Sequence, residues 1–431
     1  MTVEPRATPD VPRFHTVGIG AGPANLSLAA LYQSSTSEAM ALFDRQVGPT
    51  WHASLLHTGA RMQTSWLKDL VSLVDPTHQL TFVNYLVSTG RLFALLNAQF
   101  DFIPRREYMQ YLAWASRQIH NIHYGVTIDE ISFTGDGFVV AAEGRPVARS
   151  QHLVVGVGTR PVMPPGLSWL PDHRVFVADD LGWRIDGMSA DRHAPVAVVG
   201  GGQTGLEAVL RLLGSGFSDI RWLGRRQWFQ TIDDSPVANE FYRPAHQEFL
   251  QTLSRRTRRA LVEEQNPTGD ALTPGALRGL YQANYDRMLE LGRFPVTLLP
   301  GRDVSTAVMD GDDIVLSCTT TEGKQQQRVR YAVVAVGREL VPVPFDDDLR
   351  ARVETDQDGE LVLDADYSVR WDGPHGPAGH SIYALNRGRL SHGIPDANLT
   401  LLPVRSAIVL NSMFGRQMFQ VPDELCPISW N

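Results

Sequence analysis

Gly20-Ala21-Gly22-Pro23-Ala24-Asn25 and Gly200-Gly201-Gly202-Gln203-Thr204-Gly205 decide the fold of this chain. Each stretch follows an apolar run and opens an apolar helical pattern, as the first turn of a dinucleotide-binding βαβ unit does. Glycines there let the backbone approach a pyrophosphate, and the helix N-terminus adds partial positive charge. Two such turns a domain's length apart predict two dinucleotide sites, one for a bound flavin and one for a diffusing nicotinamide.

Reading outward makes the two units unequal. Residues 14–19 read as a buried strand, 23–32 as a helix with Leu26, Ala29 and Ala30 at helical spacing, and 40–44 as the next strand. That strand closes on Asp44, about twenty residues past the turn, where a carboxylate accepts both hydroxyls of a ribose lacking a 2′-phosphate. In the second unit 195–199 lead into the turn, a helix runs over 204–213, and the strand 220–223 ends in Gly224-Arg225-Arg226. Two guanidiniums in place of a carboxylate suit a 2′-phosphate. The expected contacts are therefore Gly20, Gly22, Pro23, Asn25 and Asp44 for FAD, and Gly200, Gly202, Gln203, Thr204, Gly205, Arg225 and Arg226 for NADPH.

Composition narrows the function classes. With 431 residues and 43% hydrophobic content the chain can bury cores for two or three domains. A net charge of −8 without a basic block argues against nucleic acid or an anionic membrane as partner, leaving small molecules. Cys318 and Cys426 are the two cysteines, in no paired motif, which gives no disulfide framework, no zinc site and no dithiol for a disulfide reductase. A flavin here passes its electrons to oxygen, a small molecule or a protein. Residues 1–13 read as a loose leader rather than a signal peptide, no segment reaches membrane-spanning length, and the cytoplasm is the expected compartment.

The expected architecture is α/β: two Rossmann-like dinucleotide-binding domains, for FAD and NADPH, with a small helical substrate insert. Residues 14–190 and 331–431 are assigned to the FAD domain, 191–330 to the NADPH domain, and 235–293 to the insert, with helices over 245–261 and 274–292. A hairpin is expected over 128–142 around Thr134-Gly135-Asp136-Gly137, and an apolar helix over 402–414. The strands ending in Gly156-Val157-Gly158 and in Val336-Gly337-Arg338 read as the points where the chain crosses between the domains.

Gly20-Ala21-Gly22-Pro23-Ala24-Asn25-Leu26-Ser27 resembles the start of the microbial N-hydroxylating flavoprotein monooxygenases, with asparagine at the third glycine position. Met62 to Val71, Phe82-Val83-Asn84-Tyr85-Leu86, Gly200 to Gln203, Ala238-Asn239-Glu240-Phe241 and Ser391-His392-Gly393-Ile394 are similar to further motifs of that family, over about residues 15–420. The run from Trp371 through His392 to Ala407 looks closest to the L-lysine N6-hydroxylases of hydroxamate-siderophore synthesis, whose relatives act on ornithine, putrescine or cadaverine. The resemblance implies that NADPH reduces FAD, O2 forms a flavin C4a-hydroperoxide, and the terminal amine of the substrate takes the distal oxygen to give a hydroxylamine. It also implies a homo-oligomer, often a tetramer, and no metal.

Carried over by position, Trp51, His52 and Gln63 are expected beside the flavin, and Lys68 as the cation for a substrate carboxylate with Asn239 as its neighbour. Asn284 is expected at the nicotinamide end and the reacting amine, making Asn284 and Gln63 the catalytic candidates, and Thr400 is expected near the substrate. Where the family carries an aromatic residue at the second crossing, this chain has Arg338, which reads as a charged exterior residue. Other readings are a sulfur or ketone monooxygenase, which needs no Lys68 for a carboxylate, and a non-catalytic flavin- and NADPH-binding regulatory protein. The residues leave lysine, ornithine and the diamines open as substrates.

Overall fold

Thr16 to Ile19 are buried on both faces, the condition of a parallel strand covered on each side by other elements. In the computed structural model, which describes residues 11–51, 56, 59–373, 376–421 and 425–430, this run is the centre of the first of two large sheets. That sheet takes β1 (Arg13–Ile19), β2 (Met40–Asp44), β3 (Ile122–Tyr124), β4 (Glu130–Phe133), β5 (Phe138–Ala142) and β6 (Arg145–Val155) in the order β3-β2-β1-β6-β5-β4. β1, β2, β3 and β6 run parallel, and β4 and β5 form the expected hairpin against β6. β7 (Thr159–Pro161) then carries the chain out.

The second sheet is parallel throughout. It is built from β8 (Val175–Val177), β9 (Val196–Val199), β10 (Ile220–Gly224) and β11 (Val296–Pro300); then β12 (Asp303–Asp310), β13 (Asp313–Thr320) and β14 (Gly323–Val329) form an antiparallel meander. β15 (Tyr331–Val334) enters between β9 and β8, giving the order β11-β10-β9-β15-β8. β16 (Arg338–Leu340) pairs antiparallel with β7, and β17 (Ile382–Ala384) rejoins the first sheet beside β6. The crossings therefore lie where the sequence places them, while the domain boundaries shift. The expected boundary at 190 falls inside the second unit because β8 is hydrogen-bonded to β15, and the return comes at 338 rather than 331 because β15 is still a strand of the second sheet. Arg338 is no idle exterior residue: its guanidinium donates to Thr159 Oγ1 at 2.8 Å and to both oxygens of Asp179 at 2.7 and 3.0 Å, fastening the crossing to the second unit.

Each sheet is covered on both faces. The helices Pro23–Ser35, Arg105–Ser116 and Leu402–Met413 cover one face of the first, with Ser406 Oγ donating to Ser27 Oγ at 3.0 Å where the first and last helices cross. The expected insert is helical, with Pro236–Asn239, Pro244–Thr252 and Arg255–Gln265, but its bounds contract. The expected helix 245–261 breaks at Leu253-Ser254, where Ser254 caps the next helix by accepting from Thr257 N. The helix Pro274–Leu291 buries Leu280 in the core of the second sheet and belongs to that unit.

The two glycine turns solve one packing problem in two ways. Gly20 (φ +93°) and Gly200 (φ +130°) occupy the left-handed region, and a Cβ on either would meet the carbonyl of Gly156 or Ala335 at 2.4 and 2.1 Å. At the third position the second turn needs glycine, because a Cβ on Gly205 would lie 2.1 Å from Gly200 O. The first turn has buried Asn25 there, and its Nδ2 donates to Gly20 O at 2.6 Å and Ile19 O at 3.1 Å. Gly205→Ala is accordingly expected to destabilise the second unit by about 1–3 kcal/mol through overpacking, read from denaturant unfolding of the whole chain.

Candidate active site

Asp69 is where the loop 62–72 acquires its shape. It is buried, Oδ1 accepts from Val71 N and Ser72 N at 2.9 and 2.7 Å, and Oδ2 accepts from Phe82 N at 2.6 Å. Ser27 Oγ and Tyr111 Oη hold Leu70 on either side, at 2.6 and 3.1 Å. With its neighbours fixed in this way, Lys68 is directed into a cavity of about 890 Å³ between the two units. Its ammonium has no partner among the described residues, and partial burial holds its pKa below the ordinary lysine value by penalising the cation.

The opposite walls come from the second unit and the insert. Gln203, Thr273 and the start of the helix Pro274–Leu291 form one, while Asn239, Tyr242, Thr268 and Gly269 form the other. Gln63 lies on the Lys68 side, and Asn398 closes the cavity from the C-terminal segment. Gln63, Lys68, Asn239 and Gln203 thus line one cavity. Asn239 Nδ2 donates to Asp234 O and Ser235 O at 3.2 and 3.1 Å, which leaves its amide oxygen for a ligand.

Asn284 is the correction. It is buried outside this lining, its Nδ2 donating to Val296 O at 3.0 Å and its Oδ1 accepting from Val296 N at 2.9 Å, so that its amide acts as an extra peptide unit against the edge strand β11. Trp51 packs against the first core, edge-on to Tyr108 at 6.0 Å. His52 and the Thr400 side chain lie outside the described residues.

Both turns fit a pyrophosphate. Gly22 and Gly202 are the N-cap residues of their helices, neither makes a side-chain cap, and a Cβ at either would meet nothing within 4 Å. First-turn amides are thus left without side-chain acceptors beside open space, which is what an anion requires. Asp44 binds its own turn, accepting from Ala21 N at 2.6 Å and Gln46 N at 2.7 Å, with a lone pair left on each oxygen for a ribose. Arg225 and Arg226 are exposed past the end of β10, where Arg226 makes one hydrogen bond, to Gln230 at 3.2 Å.

Sequence reasoning missed the group that joins these parts. Arg105, at the start of its helix in the first unit, donates to both oxygens of Glu207 in the second, each at 2.6 Å, with both side chains nearly buried. Glu207 also accepts from Gln203 Nε2 at 3.1 Å, and Gln203 Oε1 accepts from Thr273 N at 3.0 Å. No local pattern announces a charge pair across such a sequence separation; the single hint is Glu207 one helical turn after Gln203, on a face that is otherwise apolar.

Comparison with known proteins agrees with this geometry. The family model described as L-lysine 6-monooxygenase/L-ornithine 5-monooxygenase matches residues 13–338. The chain belongs to that family. The L-lysine N6-monooxygenase of Escherichia coli is 30% identical over 96% of this chain and 97% of its own length. A putrescine N-hydroxylase of Shewanella oneidensis is 26% identical over 93% and 81% of the two chains. Among solved structures, the FAD-bound cadaverine monooxygenase of Erwinia amylovora superposes with a TM-score of 0.88 at 21% identity, covering 96% of this chain and 97% of its own. The ornithine N-hydroxylase of Kutzneria sp. 744, with reduced FAD, NADP+ and L-ornithine, does so with 0.83 at 26%, covering 94% and 99%. The enzyme is thus an N-monooxygenase, and the expectation of a flavin monooxygenase family is met.

Glu207→Ala would strand the Arg105 cation between the units. Loss of about 3–5 kcal/mol is expected, the cost of leaving one member of a buried pair unpaired, with Glu207→Gln losing less, measured by denaturant unfolding.

Proposed function

We propose that this enzyme hydroxylates the terminal nitrogen of L-lysine, or of a closely related amine, to give a hydroxylamine for hydroxamate siderophore assembly. Its cofactors are FAD, on the turn Gly20–Asn25 with Asp44 at the ribose, and NADPH, on the turn Gly200–Gly205 with Arg225 and Arg226 at the 2′-phosphate. When bound, FAD reduced by NADPH supplies the electron pair that activates O2. Overall, amine, O2, NADPH and a proton give hydroxylamine, NADP+ and water.

The observation that carries the substrate class is Lys68, an ammonium without a partner among the described residues, on the wall of a cavity between the loop 59–68 of the first unit and Gln203 of the second turn. A fixed cation there binds and orients an α-carboxylate, and Asn239 on the facing wall offers an amide oxygen to the α-ammonium. Gln63, on the same side as Lys68, offers an amide to the flavin edge. The reacting nitrogen is a nucleophile when neutral, and a partly closed cavity favours that form by withholding water from the cation. A diamine is the second reading: Asp233 and Asp234 line the same cavity, and either carboxylate suits a second ammonium.

The support for a cytoplasmic location is the pair of free thiols, Cys318 and Cys426, and no helix among the described residues is long and apolar enough to cross a membrane. A homo-oligomer is supported by the helix Leu92–Asn97, which buries none of its residues and leaves Phe93 76% exposed.

NADPH oxidation with L-lysine, L-ornithine, putrescine and cadaverine, scored for hydroxylamine, tests the reading; none formed from any of the four would overturn it. If an amino acid is the substrate, Lys68→Ala raises its KM while flavin reduction by NADPH continues. The pH dependence has a defined sign. Burial lowers the Lys68 pKa and carboxylate binding needs the cation, so kcat/KM falls on the alkaline side before an ordinary lysine would titrate, a limb that Lys68→Ala removes. For the nicotinamide, Arg225→Ala with Arg226→Ala is expected to raise the KM for NADPH at least tenfold and leave that for NADH nearly unchanged, about the worth of one charge-assisted contact.

A further inference from the structure

The helical insert is attached in sequence to the second unit but fastened in space to the first. Its neck is narrow: Ile232 N donates to Leu272 O at 2.9 Å and Leu272 N to Gln230 O at 3.0 Å. The fastenings to the flavin unit are more numerous. On the helix Arg255–Gln265, Arg255 pairs with Asp356 and Arg259 with Asp358, each at 2.7 Å. Arg389, just before the Ser391-His392-Gly393-Ile394 motif, donates to Asn266 Oδ1 at 2.5 Å and Asp270 Oδ2 at 2.6 Å. One guanidinium therefore grips both ends of the loop whose middle residues, Thr268 and Gly269, line the cavity.

The insert is also packed against residues of the C-terminal segment. Trp430 sits on the insert against His246, Phe249 and Phe241, with ring centroids 4.6, 5.9 and 5.9 Å away, and Arg243 donates to Leu425 O at 2.9 Å. His246 is buried with its Nε2 3.0 Å from Gln265 Nε2, Gln265 O accepts from Thr268 Oγ1 at 2.8 Å, and Thr268 O accepts from Tyr242 Oη at 3.0 Å. The seat of Trp430 is thereby connected, through a continuous line of contacts, to the cavity wall.

We infer that the insert works as part of the flavin unit, with Arg389 and Trp430 as positioning residues that hold the Asn266–Asp270 loop against Lys68. The cavity wall that carries Thr268 and Gly269 is then held by the flavin unit through its moored insert, while the wall of Gln203 and Thr273 belongs to the nicotinamide unit. That unit is tied to the flavin unit separately, through Arg105 and Glu207. The inference rests on the reading of the cavity as the amine's site.

The test uses the full-length holoenzyme and whichever of the four amines gives the most hydroxylamine. Arg389→Ala and Trp430→Ala are each expected to raise the amine KM about tenfold, the effect of losing a contact of ordinary strength. Flavin reduction by NADPH, followed in stopped flow without amine, stays within about twofold of the parent rate, and Arg389→Lys regains part of the loss. Hydrogen exchange at the amides of 255–265 should quicken in both alanine variants. An unchanged amine KM with unchanged exchange overturns the inference, as does a loss of flavin reduction in parallel with amine binding, because the insert would then move with the nicotinamide unit. If the parent enzyme makes no hydroxylamine from any of the four amines, the substrate reading fails; the exchange arm still decides the mooring, with faster exchange supporting it and no change refuting it.

Discussion

The bidentate contact between Arg105 and Glu207 is the constraint on which the site's geometry depends. Two ions this far from water carry a desolvation cost that their attraction repays only when the geometry is good, and a well-packed apolar pair would hold the units as firmly. What the ionic pair contributes is direction. A guanidinium fork meeting a carboxylate in its plane fixes the helix Gln203–Gly214 against the helix Arg105–Ser116 in one register. Through Gln203 and Thr273 the same pair reaches the second glycine turn and the start of the helix Pro274–Leu291, so the second turn is oriented by a residue of the first unit.

The cavity inherits its character from that join. It opens between a loop held rigid by Asp69, a glycine turn held by Glu207, and an insert held by Arg389, and it carries a lysine whose charge has no partner among the described residues. Polar restraint is concentrated around the cavity, while the cores beneath the two sheets are apolar and supply the stability.

The crossing strands show how local chemistry adapts to tertiary demand. The family's aromatic residue at the second crossing is replaced by Arg338, and that guanidinium ties β16 to Thr159 and to Asp179. A residue that reads as surface charge is therefore a fastener between units. The third glycine position behaves similarly: Asn25 looks like a flaw in the first motif, yet its amide fills the space beside Gly156 and hydrogen-bonds the turn it closes.

The sequence by itself determined what depends on neighbours along the chain. Both glycine turns, Asp44 and the arginines at the ends of their strands, the hairpin around Gly135 and the crossings follow from local spacing, because backbone sterics and strand or helix period act over a few residues, and the family follows from motif resemblance. Lys68, Gln63 and Asn239 were legible as a group through motif resemblance. The tertiary structure alone decided the rest. It moved β8 and β15 into the second sheet by ladder pairing, gave Asn284 to the edge of β11 instead of the cavity, and set Arg105 against Glu207 and Arg389 against Asp270. These are contacts between residues far apart in the chain, where side-chain type says only that a charge or an amide needs a partner. Which partner it finds is fixed by how the two sheets and the insert pack.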